Sequence, residues 1–117
     1  MNIQITSRKF KAKDSLKEFI QDQIEWLDKF YDDIMDVKVV LSYKMMDDSQ
    51  KTAEIILKIP GNTISVSATT DDFKKSISEC IEKAESQLKK IKGKKLDSKR
   101  KEKPEFKIEY IEEDVED

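Results

Sequence analysis

Ile3 and Ile5 stand opposite Asn2, Gln4 and Thr6 in the opening residues, an alternation of period two that predicts a short, half-buried strand over residues 2–6. From Leu16 the period changes. Leu16, Phe19, Ile20, Ile24, Leu27, Tyr31 and Ile34 are spaced 3, 1, 4, 3, 4 and 3, one stripe of an amphipathic helix that Asp14 or Ser15 would cap. Alternation returns between Asp36 and Met46, where Val37, Val39, Leu41, Tyr43 and Met45 oppose Lys38, Val40, Ser42 and Lys44. Asp47-Asp48-Ser49-Gln50 reads as a turn, after which Ile55, Leu57 and Ile59 alternate with Glu54, Ile56 and Lys58 as far as Pro60. Pro60-Gly61-Asn62 turns the chain into a hairpin with Ile64, Val66 and Ala68. A second helix, opened by Thr70, Asp71 or Asp72, carries Phe73, Ile77, Cys80, Ile81, Ala84, Leu88 and Ile91 along one stripe. Gly93 should fray it, and Pro104 cannot lie inside a continuation.

The order β-α-β-β-β-α predicts an α+β fold: a four-stranded mixed sheet with two helices packed on one face. The helical crossover makes the first two strands parallel and the remainder antiparallel. One domain over residues 1–95 is expected, followed by a flexible tail over 96–117 that is basic and then acidic.

Composition narrows the chemistry. Of 117 residues 37% are hydrophobic and 41% charged, so only the periodic placement of the apolar set makes a core possible. The chain has no histidine, which removes imidazole bases and imidazole metal ligands. With Gly61 and Gly93 alone, neither a phosphate-cradling loop nor a dinucleotide turn can be built. The single cysteine, Cys80, forms no internal disulfide and no CxxC motif, and it reads as an inert residue at the edge of the core. No apolar run exceeds three residues, so a cytoplasmic protein without a membrane segment is expected. Adjacent carboxylates at Asp32/Asp33, Asp47/Asp48 and Asp71/Asp72 fit turn and cap duties better than metal binding. No catalytic residue, metal, cofactor or small-molecule substrate is expected.

Charge is segregated. Residues 1–13 carry +4, residues 14–82 carry −7, residues 83–103 carry +7 and residues 104–117 carry −6. Lys83, Gln87, Lys90 and Lys94 follow 4-3-4 spacing beside the apolar seam of the second helix, and Lys75, Lys89 and Lys92 widen that stripe. A solvated helix face is the plain reading of such lysines. Against it, residues 86–96 hold five lysines and no acid, an arrangement that repels itself unless a polyanion accepts it. Arg8, in the basic opening block, is a further candidate RNA contact. The solvent face of the sheet would present Asn2, Gln4, Thr6, Lys38, Ser42, Lys44, Thr52, Glu54, Lys58, Ser65 and Ser67, without the aromatic pair on which sheet-type RNA readers stack bases. Trp26 lies off the stripe of the first helix and reads as half-buried packing.

Met1-Asn2-Ile3-Gln4-Ile5-Thr6-Ser7-Arg8, the helix around Leu16-Lys17-Glu18-Phe19-Ile20, the strand Val37-Lys38-Val39-Val40-Leu41-Ser42, the segment from Pro60-Gly61-Asn62-Thr63 to Asp72, and Gln87-Leu88-Lys89-Lys90 together resemble the ribosome hibernation-promoting factor and protein Y family over about residues 1–95. The resemblance implies that this domain binds the small ribosomal subunit between head and body, through ribosomal RNA, overlapping the messenger and transfer RNA sites of idle whole ribosomes. It implies no enzyme activity, no DNA and no membrane partner. Lys83, Lys90, Lys92 and Lys94 match basic positions of the family, whereas Gln23, Trp26 and Ser86 stand where basic residues are frequent. The chain is too short for the extra C-terminal domain of long members, and its ending from Tyr110 to Asp117 is similar to the acidic ending of protein Y, so a short form is expected. A double-stranded RNA-binding module and a small protein-interaction adaptor are the competing readings.

Overall fold

The computed structural model describes residues 1–44, 47–92 and 107–113. Its elements run β1 (Asn2–Arg8), α1 (Asp14–Phe30), β2 (Asp36–Lys44), β3 (Asp47–Ile59), β4 (Asn62–Thr70), α2 (Phe73–Lys92) and β5 (Lys107–Glu113). They form one five-stranded sheet in the order β4-β3-β2-β1-β5. The α+β class, the two helices and the order of the first six elements agree with the periodicity. β1 lies parallel to β2 across the α1 crossover, and β2-β3-β4 is an antiparallel meander. Ile59 pairs with Asn62 across Pro60 and Gly61, and Gly61 takes φ 76°, a backbone conformation that most side chains resist.

The alternation is what puts the core on one side. Ile3, Ile5, Val37, Val39, Leu41, Ala53, Ile55, Leu57, Ile64 and Val66 point to the helix side and are buried. Leu16, Ile20, Ile24 and Leu27 of α1 and Phe73, Ile77, Cys80, Ile81, Ala84 and Leu88 of α2 close over them. Tyr31 and Ile34 extend the α1 stripe into the core although the helix has ended at Phe30. At the start of α2 the Asp72 carboxylate accepts the Lys74 amide at 3.1 Å, as a helix cap does. The Ser76 hydroxyl, fully buried, donates to the Lys51 carbonyl at 2.7 Å and accepts the Thr70 amide at 3.1 Å, tying α2 to β3 and β4 at one point. α1 begins without a side-chain cap, with Asp14 inside its first turn rather than ahead of it.

Three expectations are corrected. The sheet has five strands rather than four, because Lys107–Glu113, inside the stretch expected to be a flexible tail, pairs in parallel along the outer edge of β1. Ile108 and Tyr110 do alternate with Glu109 there, but strand pairing needs an open edge, and the edge is supplied by residues a hundred positions away. Asp47 to Gln50 belong to β3 rather than to a turn, with a register shift between Tyr43 and Lys44 taking up the irregularity. Thr6 is buried rather than exposed, since Val40 flanks it on one side and Ile111 on the other.

Leu88 is fully buried where the last turns of α2 meet the sheet. Leu88→Ala is expected to lower unfolding free energy by ~2–5 kcal/mol with an unchanged denaturant slope, as measured by urea titration.

Candidate nucleic-acid interface

The burial of one α2 stripe determines where its lysines point. With Ile77, Cys80, Ala84 and Leu88 inward, Lys83, Gln87 and Lys90 share one exposed flank, and the Lys83 ammonium donates to the Ser67 carbonyl of β4 at 2.7 Å. That contact places the flank on the β4 side. Lys89 stands ~100° around the helix from Lys90, on the flank of Lys74, whose ammonium lies 5.9 Å from the Phe19 ring of α1. Lys75 is ~12 Å up the helix from Lys83 and exposed, paired with Asp71 at 3.2 Å. Lys92 ends α2, and its side chain, like the whole of Lys94, lies outside the described residues.

Lys83, Gln87 and Lys90 are therefore brought together, while Lys75 and Lys89 widen the basic surface on other flanks. Arg8 is not brought to it. Its side chain lies on the sheet face opposite the helices, three strands and ~14 Å of sheet from β4, with its guanidinium 3.3 Å from the Glu113 carboxylate.

A second basic surface is one that the spacing of lysines does not reveal. At the end of β1, Lys9 takes φ 68°, a strained value for a residue with a side chain, and the turn carries Phe10 onto Phe73. These rings stack with centroids 4.9 Å apart, and the Tyr43 ring meets them edge-on at 5.3 and 5.5 Å. The cluster floors a groove of about 530 Å³ whose rim includes Lys11, Lys13, Lys51 and Lys74, with Asp72 the one acid. The signal in the sequence is the acid-free opening block, which joins residues from β3 and α2 only in the fold. Trp26, expected to be half-buried, is 44% exposed and stacks on Phe30 with centroids 5.6 Å apart.

Cys80, the sole thiol, is fully buried and donates to the Ala53 carbonyl at 3.3 Å. Burial pushes its pKa up to about 11 from 9.0, a shift that nearby Lys83 only partly opposes. Among the described residues, no three of His, Cys, Asp and Glu converge on a point that could hold a metal, and no helix is long and apolar enough to cross a membrane.

Residues 3–96 match the family model described as Sigma 54 modulation protein / S30EA ribosomal protein. The chain belongs to that family. The match covers both helices and the first four strands, in agreement with the resemblance carried by the sequence. The chain is 23% identical over 104 residues to a ribosome hibernation promotion factor of Deinococcus radiodurans, covering 87% of this chain and 54% of that one. It thus spans about half the length of that curated relative. Among solved structures it is similar to a ribosomal subunit interface protein from Coxiella burnetii, with TM-score 0.69, 25% identity, and 80% of this chain and 99% of that one covered. It is also similar to the N-terminal domain of Thermus thermophilus Protein Y, with TM-score 0.68, 26% identity, and 78% and 99% of the two chains covered.

The buried thiol has a consequence for stability. Below pH 9 folded and unfolded chains both hold the Cys80 proton; above it the unfolded chain releases the proton first, so stability falls as pH rises from 9 towards 11. Urea titrations of the wild type and Cys80→Ala should converge over that window, the wild type losing roughly 2 kcal/mol relative to the variant by pH 11. A disulfide reagent at pH 8 should label the thiol only after urea unfolds the chain.

Proposed function

We propose that this protein binds the small ribosomal subunit, alone or within the whole ribosome, and holds it inactive by occupying the messenger and transfer RNA channel. The observation that carries the reading is the family match across the whole of α2, on whose exposed flank Lys83, Gln87 and Lys90 lie together. The names of the relatives, a ribosome hibernation promotion factor and a ribosomal subunit interface protein, point the same way.

On this reading the lysines meet phosphates, not base edges. Ammonium groups on one straight helix flank suit the regular spacing of a nucleic-acid backbone, and release of its counterions supplies the binding free energy. Recognition is then of ribosomal RNA shape, because among the described residues the sheet face opposite the helices carries no aromatic pair on which bases could stack. Lys75 and Lys89 extend the contact area around α2, and Lys92 and Lys94 would prolong it beyond the last described turn. The task is occupancy, so it requires neither a cofactor nor a nucleophile, and the role is not enzymatic.

Lys83→Glu, Lys90→Glu and Lys94→Glu together are expected to remove the protein from the small-subunit peak of a sucrose gradient. The same triple variant should keep its circular dichroism spectrum and lose only a few degrees of Tm. For the wild type, log affinity should fall linearly with log salt, and the triple variant should flatten that slope by about 2–3. Co-sedimentation of the folded triple variant at wild-type level would reject the α2 surface. Complete competition by an unrelated RNA hairpin would support a general double-stranded RNA binder instead.

A further inference from the structure

β5 carries Glu109, Glu112 and Glu113 against Lys107 alone, and it lies along β1, which ends in Arg8 and is followed by Lys9. Its pairing is in register throughout, from Asn2 with Lys107 to Arg8 with Glu113. The Lys107 amide donates to the Met1 carbonyl at 3.0 Å, and the Lys9 amide donates to the Glu113 carbonyl at 2.6 Å, so the strand is anchored at both ends. Side chains reach past the edge on both faces. On the outer face Glu113 pairs with Arg8 at 3.3 Å. On the helix face Tyr110 receives a hydrogen bond from Gln21 of α1, and the Lys17 ammonium lies 4.7 Å from its ring centroid. The acidic strand β5 is thus seated beside the basic opening block.

What holds β5 is weak in kind. None of its side chains is buried, and only Ile108 and Ile111 are even half-buried. Its ladder exchanges hydrogen bonds to water for hydrogen bonds to β1, and the Arg8–Glu113 pair is solvent-exposed, where ion pairs contribute little. A strand held by a backbone ladder, the margin of one isoleucine, Ile108, against the core and a few exposed polar contacts is one that a denser array of negative charge can displace.

We propose that β5 is a removable acidic cover: it engages Arg8 on the outer face of the sheet and Lys17 on the helix face until RNA phosphates compete for those cations and release it. RNA then gains a second contact surface, remote from Lys83 and Lys90, and sparse anions do not open it. The inference rests on the RNA-binding reading above for the identity of the competitor. Closed and open states form a two-state element, and RNA that binds only the open state at this edge has its affinity reduced by the fraction of molecules that are closed.

The test uses the full chain with a labelled RNA hairpin and with purified small ribosomal subunits as probes. Thr6→Cys with Ile111→Cys, an opposed pair on the outer face, allows the cover to be locked by oxidation and released by reduction. The oxidised form is expected to bind both probes about fivefold more weakly than the reduced form. Tyr110→Ala with Glu113→Gln, which needs no cross-link, is expected to bind about threefold more tightly than the wild type at low salt. In the wild type, hydrogen exchange of the amides of residues 107–113 should quicken when RNA is added. Unchanged protection of those amides at saturating RNA, or equal affinities of oxidised and reduced forms, would overturn the cover and leave the ribosome reading standing. Absence of binding to either probe by both wild type and Tyr110→Ala/Glu113→Gln would overturn both.

Discussion

Ile77, Cys80, Ala84 and Leu88 lose all contact with solvent against a sheet face on which Ala53, Ile55 and Leu57 lose theirs, and this seam sets the rotation of α2 about its own axis. A helix cannot turn to present different side chains once one stripe is committed to a core. The direction of Lys83, Gln87 and Lys90 is therefore a by-product of apolar burial, reinforced by Ser76 at one end and by the Lys83 contact with Ser67 midway. Were the seam loose, the lysines would repel one another into separate directions. Held, Lys83 and Lys90 project together from one flank, with Glu79 a turn before Lys83 as its acid.

The same constraint explains why both helices lie on one side. Only one face of the sheet alternates into a continuous apolar layer, and the other carries Lys38, Ser42, Glu54 and Ser67. On that side Thr6 and Val40 are buried next to each other, with Ile111 of β5 as the other neighbour of Thr6. The edge strand adds only Ile108 to the margin of the core, and five of its seven side chains stay exposed.

Charge shows how position in sequence and position in space diverge. The blocks of +4, −7, +7 and −6 alternate along the chain, and the acidic residues 104–117 follow directly on the basic block of residues 83–103. Their described strand lies instead on the first block, where β1 offers backbone donors and acceptors as well as cations. Opposite charge favours either encounter, but only an open strand edge adds a hydrogen-bond ladder.

Elements whose signal is local were legible in the sequence. Period two produced β1 to β4, period 3.6 produced α1 and α2, and Pro60-Gly61 marked the hairpin, because each pattern is generated by neighbours along the chain. The α2 lysines at 83 and 90, with Gln87 between them, were legible for the same reason, since helical spacing alone puts them on one flank. What lies between distant segments was not. β5 required the edge of β1, the aromatic groove required Phe10, Tyr43 and Phe73 to converge from three elements, and Arg8 was separated from α2 by the order of strands in the sheet. Periodicity specifies which face of an element is buried, but the neighbour that covers it is chosen by the packing of the whole chain, and only the tertiary structure records that choice.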